Sequence, residues 1–233
     1  MPEPSFWDHL DELRSVLFKS LGAWLAASVA AFLLKDQLFS ILLKPLGEGR
    51  KLINIDVTAQ FFTHVQVSLC IGFVVALPLI VWWLYGFVAP ALYSNEKRYS
   101  VVFVICSMIL FAAGVALNYF LIFPLSFSFL GSYQVSDLVV NQISLGSYMS
   151  LLLVLSIMMG LLFEVPVITW LLSKLGVLKR RHLKRYRRHV FVCILVLAAV
   201  ITPTGDPFTL MLVTLPVYGL YELSILIIRE NGE

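Results

Sequence analysis

The chain has 233 residues, of which 60% are hydrophobic and 13% are charged, and its formal net charge is +3. A soluble domain carries about a quarter charged residues and somewhat under half apolar ones, and the mean hydropathy of +0.90 is too high for a domain folded in water. The composition therefore indicates an integral membrane protein. It excludes a soluble nucleotide enzyme, a secreted disulfide scaffold, a nucleic-acid-binding domain and a disordered protein.

The first predicted element is an amphipathic helix near the N-terminus. Apolar residues recur at helical spacing from Phe6 to Leu17, and Glu12 lies on the acidic flank between them. Glu96, in the polar turn after the second apolar stretch, adds a carboxylate on the same side of the membrane. The two acids either hold a pair of guanidinium groups with charge-assisted bonds or pair with Arg14 and Arg98, and the pattern alone leaves both interpretations open.

Six apolar stretches predict membrane-spanning helices, since a span needs about 20 mostly apolar residues. A turn with two prolines separates the last two, and the fifth has only about 13 apolar residues, which is short for a hydrocarbon core about 30 Å thick. Prolines inside several spans predict kinked helices that form a concave face. The sequence thus predicts one all-α, polytopic transmembrane domain over residues 1–233, with short fifth and sixth helices and spans at 15–35, 66–88, 100–124, 147–172, 189–203 and 208–228.

The distribution of basic residues predicts the orientation. With six spans both termini lie on one side, which carries thirteen of the 17 Lys and Arg residues. The positive-inside rule then places both termini in the cytoplasm. Residues 174–188 alone hold eight Lys or Arg, one His and no acid, which indicates contact with an anionic membrane surface. A nucleic-acid site is not expected in so short a connector between two spans.

One ionisable residue, Glu164, lies inside the fourth predicted span, two residues before Pro166. An acid at this depth costs at least about 2–3 kcal/mol, so it faces protein or water and often marks function. A structural hydrogen bond is an equally good interpretation. Glu222 lies nearer the cytoplasmic end of the sixth span, where a structural role is favoured.

Five short motifs follow one another along the chain. They are His-Leu-Asp-Glu-Leu-Arg at 9–14, Ile-Asp-Val-Thr at 55–58 followed by Phe61 and Phe62, Phe-Val-Ala-Pro-Ala-Leu-Tyr at 87–93 with Glu96, Phe-Glu-Val-Pro at 163–166, and Thr202-Pro203 with Asp206. In this order, and in a six-span layout, they resemble the TatC family, the multi-span receptor subunit of the twin-arginine protein translocase. The similarity covers nearly the whole chain. It departs at Gly205, which lengthens the last turn, and at residues 207–210, which lack a glutamine that many relatives carry.

The resemblance implies a function that the composition does not indicate. TatC-like proteins recognise the paired arginines of signal peptides on proteins that cross the membrane already folded. The implied readers of the arginine pair are Glu12 and Glu96. Further implied site residues are Arg14, Phe87 and Tyr93 in the same cytoplasmic patch, Pro45 in the first external loop, Asp206 in the external turn before the sixth helix, and Glu164 as the intramembrane polar residue facing the concavity.

The resemblance also implies partners, a location and an energy source. The partners are twin-arginine signal peptides of folded cargo, TatA- and TatB-like single-span proteins, the lipid bilayer and further copies of the chain in a receptor complex, with no nucleic acid. The location is the cytoplasmic (inner) membrane, and the proton-motive force drives transport without cofactor, nucleotide or metal. Because the sequence has no metalloprotease, serine-elbow or phosphate-loop motif, an enzyme is not expected.

Two other classes are alternatives. A small proton-coupled secondary transporter would use Glu164 as its proton relay, and such carriers have matching broken helices in both halves. The first half of this chain has no counterpart of Glu164. A purely structural membrane scaffold would leave Glu12 and Glu96 dispensable.

Overall fold

In the part of the chain that the structure describes, the fold is helical, with one short pair of β-strands. The computed structural model describes residues 6–47, 51–88, 100–134, 136, 141–174, 176–202 and 205–228. In chain order the elements are α1 (Phe6–Leu33), α2 (Lys35–Leu42), a 3-10 helix (Lys44–Leu46), β1 (Leu52–Ile53), α3 (Ala59–Val88), α4 (Ser100–Leu117), a π-helix (Asn118–Ile122), α5 (Phe123–Ser132), β2 (Ile143–Ser144), α6 (Leu145–Phe163), α7 (Val165–Lys174), α8 (Arg180–Ile201) and α9 (Pro207–Ile227).

Five helical segments in the described part of the chain are long and apolar enough to cross a membrane. They are His9–Leu33, Ala59–Phe87, Val101–Ser132, Leu145–Lys174 and Pro207–Ile227. This confirms the prediction of an all-α, polytopic membrane protein. The count of six spans, the side on which the termini lie and the concave face stay predictions.

The predicted fifth span, residues 189–203, is the C-terminal part of α8. The helix begins at Arg180 because Lys and Arg are good helix formers and extend the apolar helix into polar surroundings. Its 22 residues therefore combine a basic half with an apolar half, and α8 is not one of the five apolar segments above. The structure corrects the predicted short fifth and sixth helices. Because its basic residues extend the helix, α8 has 22 residues where about 13 were predicted, and α9 (21 residues) is long enough to span.

Two prolines lie inside helices, as the sequence predicts, and the third span continues past its predicted end. The predicted third span stops at Pro124, whereas the helical segment continues to Ser132. The π-helix comes just before, so the Phe123 N–H donates to the Asn118 carbonyl, and Pro124 follows directly in the first turn of α5. Pro78 lies inside α3 and Pro216 inside α9 without interrupting either helix.

The chain divides into two compact units, Met1–Lys35 with His64–Met108 and Asp36–Thr63 with Ile109–Glu233. The single transmembrane domain stays a prediction. In the first unit α1 and α3 pack closely, since a Cβ added at Gly72 would collide with the backbone of Ser28. The indole N–H of Trp24 donates to the carbonyl of Leu69 at 2.8 Å. Small residues permit this close approach of helices in lipid.

The second unit is built around a cluster of aromatic rings. Tyr148 meets Phe123 and Phe127 edge to face, with ring centroids 5.1 Å apart in both pairs. Around this core α7 and α8 pack against α9, and β1 pairs in parallel with β2. The close packing fixes the helix ends that carry the predicted external residues.

Candidate functional site

The start of α1 brings three side chains together. The ring of His9 stacks on that of Phe87, near the end of α3, with centroids 4.2 Å apart and an interplanar angle of 16°. His9 Nδ1 lies 3.7 Å from Glu12 Oε2, at the i, i+3 spacing that places two side chains on one helix face. The Glu12 side chain is 49% exposed. Because an ionised carboxylate accepts about four hydrogen bonds, Glu12 keeps capacity to bind a ligand.

Arg14 lies on the other side of α1 from Glu12. Two residues along an α-helix correspond to a rotation of about 200°. The guanidinium carbon of Arg14 is 5.7 Å from the ring centroid of Phe18. Both residues line an apolar groove of about 290 Å³ together with Leu10, Leu13, Leu17 and Leu21. Glu12 and Phe87 thus both contact His9, whereas Arg14 lies along an apolar groove on the other side of the helix.

Two predicted site residues, Glu96 and Tyr93, lie outside the described residues. They belong to the segment between α3 and α4. Phe87, near the end of α3, stacks on His9. The described part of the chain therefore ends, at Val88, close to His9. The pairing of Glu12 with Glu96 stays a prediction.

Pro45 lies in the 3-10 helix that follows α2. Two tyrosine hydroxyls hold the end of α2. The hydroxyl of Tyr119 donates to the carbonyl of Ile41 at 2.6 Å, and the hydroxyl of Tyr148 donates to the carbonyl of Leu42 at 3.0 Å. The last carbonyls of a helix have no partner within it, so these hydroxyls cap α2. Pro45 therefore follows a firmly anchored helix end.

Glu164 lies at the junction where α6 ends and α7 begins. Its backbone N–H donates to the carbonyl of Leu161 at 3.1 Å, and its own carbonyl accepts from the N–H of Ile168 at 2.9 Å. The residue is half-buried inside one of the five apolar segments. Pro166, in the first turn of α7, explains the interruption because it has no N–H to continue the ladder.

Asp206 is the N-cap of α9. Its Oδ1 accepts a hydrogen bond from the backbone N–H of Thr209 at 2.7 Å. Gly205 before it has a φ of +60°, which favours glycine, and Pro207 after it occupies the first helical turn. The three residues together start the helix, so Asp206 has a structural role that needs no partner protein.

An ion pair joins α8 to α9. Arg187 Nη2 donates to Glu222 Oε2 at 2.8 Å, and the hydroxyl of Tyr218 donates to Oε1 at 3.0 Å. Both oxygens of the Glu222 carboxylate thus have partners within the protein. The geometry agrees with the structural role that the sequence favours for this residue.

Sequence reasoning missed two residues as candidates for a role. His9 belongs to the quoted motif, and its spacing to Glu12 is a signal for contact that was available in the sequence. Asn118 is fully buried at the start of the π-helix, where its Nδ2 donates to Ser156 Oγ at 2.8 Å. Its signal is a lone amide in an apolar span. Within the described ranges, no group of three or more His, Cys, Asp or Glu residues could hold a metal ion.

Apolar segments of spanning length, with polar groups bonded inside the protein, define a polytopic helical membrane protein. The family model described as Sec-independent protein translocase protein (TatC) matches residues 8–216. A Sec-independent protein translocase protein TatC from Carboxydothermus hydrogenoformans is 32% identical over 97% of this chain and 93% of its own length. One from Campylobacter jejuni is 37% identical over 95% of this chain and 92% of its own length.

Solved structures agree with the sequence relatives. The fold is similar to that of a crystal structure of the twin arginine translocase receptor TatC, with a TM-score of 0.84, 34% identity, and coverage of 94% of this chain and 96% of that one. A structure of this receptor in DDM gives a TM-score of 0.86 at 34% identity, with coverage of 95% and 99%. The chain belongs to the TatC family, and it is a component of Sec-independent protein translocation.

The N-cap at the start of α9 generates a prediction. Asp206→Ala should lower the free energy of unfolding by about 1 kcal/mol, because the Thr209 N–H loses its acceptor. Asp206→Asn should keep most of the stability, since its side-chain oxygen accepts the same bond. Thermal unfolding in detergent measures both, with Asp11→Ala as a control for loss of an exposed acid. Equal losses for the Ala and Asn variants would mean that charge, and not capping, is what matters.

Proposed function

We propose that this TatC-family chain is the receptor subunit of a twin-arginine translocase and binds the paired arginines of signal peptides at Glu12. The observation that carries the proposal is the half-exposed Glu12 carboxylate, set beside Phe87 by the stacked ring of His9. Family membership supports a role in protein translocation. The similar solved structures are named as twin arginine translocase receptors, which supports the receptor role.

The chemistry of the site suits arginine. A carboxylate and a guanidinium form two parallel charge-assisted hydrogen bonds, whereas the ammonium of lysine is a point charge. Aromatic faces add a second attraction, because a planar guanidinium stacks on them. Phe87 is partly exposed and stacks on His9 with one face, so its other face is available beside the ring that contacts Glu12. A site of this kind reads arginine in preference to lysine.

We propose that Glu96 and Tyr93 complete the site. The family resemblance supports a second carboxylate, since two guanidinium groups in one peptide need two acids for full pairing. Phe87 supports it as well, because Tyr93 and Glu96 follow it closely in the chain. Arg14, which lies against Phe18, shapes the outer flank of α1 in this proposal.

The proposed site faces the cytoplasm, with both termini, in a cytoplasmic membrane protein of six spans. The excess of Lys and Arg on that side supports the orientation. In this proposal α8 supplies the fifth span through its apolar half, and α9 is the sixth. The peptide therefore meets its receptor before its cargo crosses the membrane.

After binding, the proposed receptor assembles with further copies of itself and with TatA- and TatB-like single-span proteins, and the proton-motive force drives export. The external turn at Asp206 and the loop at Pro45 are proposed contact regions for these partners. Glu164 supports an intramembrane contact, because an acid at a helix junction inside an apolar segment offers a polar group to a neighbouring helix.

Peptide binding tests the proposal directly. Glu12→Ala should weaken binding of a fluorescent twin-arginine signal peptide to the detergent-purified protein by about 10- to 100-fold, the range expected for one hydrogen bond to a charged group. A peptide with both arginines changed to lysine should bind the unaltered protein comparably weakly. Asp11→Ala is the matched control, since it removes a neighbouring exposed carboxylate that faces another direction. Equal binding of the two peptides, or equal losses in both variants, would refute the proposed site.

The role of Glu164 is tested by separating binding from transport. Glu164→Gln keeps the size and polarity of the side chain but removes its charge, so it should leave peptide binding unchanged while export of a folded cargo protein slows. Binding and export are measured on the same membrane preparation. Export at the unaltered rate would reduce Glu164 to a structural hydrogen bond, and lost peptide binding would place it in recognition instead.

A further inference from the structure

The imidazole of His9 contacts both an aromatic ring and an acid. It stacks on Phe87, with ring centroids 4.2 Å apart, and its Nδ1 lies 3.7 Å from Glu12 Oε2. This distance is longer than a hydrogen bond, so the imidazole and the carboxylate approach each other without being bonded. The His9 side chain is 51% exposed, and its ring therefore exchanges protons with water. Histidine is also the side chain whose charge changes between about pH 5 and 8.

A second histidine, His64, shows what is particular to His9. Its ring stacks on Phe32 with nearly the same geometry, with centroids 4.0 Å apart and an interplanar angle of 16°. Its Nε2 lies 3.0 Å from the backbone carbonyl of Phe32, which is a neutral acceptor. The polar contact of His9 is instead a carboxylate. A proton on the His9 ring therefore changes the charge that a ligand of Glu12 meets.

Other titratable residues near His9 face elsewhere. Along α1, Asp11 is rotated from His9 by about 200° and Arg14 by about 140°, at 100° per residue. On α3, Tyr85 comes two residues before the stacked phenylalanine and is buried. Among the described side chains, Glu12 is thus the charged group that lies beside the His9 ring.

We propose that His9 makes arginine recognition dependent on pH: its neutral ring leaves Glu12 available to the peptide, and its protonated ring occupies Glu12. This inference rests on the proposed function, in which Glu12 binds the arginine pair. Glu96, the second acid of that proposed site, lies outside the described residues. A protonated imidazole donates from both ring nitrogens and pairs with a carboxylate. It also places a positive charge beside the incoming guanidinium, which it repels.

Linkage determines the direction of the effect. Because the proton and the peptide weaken each other's binding by the same factor, the peptide binds most tightly above the pH range in which a histidine titrates. Its affinity falls as the pH falls through that range, and a coupling of this kind is worth about tenfold. An exposed carboxylate stays ionised down to about pH 5, so protonation of an acid does not account for a decline above that pH.

Peptide binding measured at two pH values tests the proposal. The probe is a fluorescent twin-arginine signal peptide without histidine, added to the detergent-purified full chain at about pH 8 and about pH 5.5. The dissociation constant of the unaltered protein should rise about tenfold at the lower pH. His9→Phe keeps a ring against Phe87 but takes up no proton, so its dissociation constants at the two pH values should agree. His9→Arg carries a permanent charge and should bind weakly at both.

His64→Phe is the matched control, because it makes the same change in the other stacked histidine and should keep the dependence on pH. Thermal unfolding at both pH values verifies that each variant is folded. Binding by the unaltered protein that does not change with pH, or a full pH dependence in His9→Phe, would overturn the role of His9. Tight binding by His9→Arg, or lost pH dependence in His64→Phe, would also overturn it.

The same experiment separates this inference from the proposed function. At about pH 8, equal binding of the arginine peptide and of its lysine counterpart would mean that the proposed function fails. A clear preference for arginine at that pH, with an affinity that stays constant down to about pH 5.5, would refute only the role of His9.

Discussion

Hydrocarbon offers no hydrogen bonds, and this constraint governs where the polar groups of this protein lie. An unsatisfied backbone or side-chain polar group in lipid costs several kcal/mol. Hydrogen bonds between helices satisfy such groups. The Tyr148 hydroxyl donates to the Leu42 carbonyl at the end of α2, and the Asn118 side-chain N–H donates to the Ser156 hydroxyl. These bonds tie together helices that apolar packing alone would leave free to slide, since lipid tails are as apolar as leucine.

The same constraint separates the acids by role. Glu222 has both oxygens occupied by Arg187 and Tyr218, and Asp206 caps α9. Glu12 differs, because its contact is a 3.7 Å approach of His9 and about half of its side chain is exposed. The fold thus uses the first two carboxylates for its own stability and presents the third. That contrast is the physical basis for the proposed recognition of arginine.

Long apolar runs made the membrane class and five of the spans predictable, because spanning length and hydropathy depend on sequence alone. The helix ends were harder. The predicted third span stopped at residue 124, whereas the helical segment continues through a π-helix into α5, and α8 begins at Arg180, well before its apolar part. Neither the π-helix nor the start of α8 is predictable from hydropathy.

The candidate site was predictable only in part. Motif resemblance pointed to Glu12 and Phe87, but their proximity through His9 is a tertiary contact between the ends of α1 and α3, which no local pattern encodes. Helical geometry does predict that Arg14 faces away from Glu12, because two residues along a helix are about 200° apart. The two residues share a sequence motif but not a helix face. The resemblance placed Asp206 in the turn before the sixth helix, but its capping bond to the Thr209 N–H is visible only in the structure.

The most direct test of the central claim is to map where a bound signal peptide touches the receptor. A photoreactive group beside the arginine pair is activated in the complex, and the crosslinked residues are identified by mass spectrometry, with the lysine-substituted peptide as the background. We expect crosslinks at His9 and Phe87, on the side of α1 that carries Glu12. Crosslinks confined to Arg14 and Phe18, or to the loop at Pro45, would contradict the account.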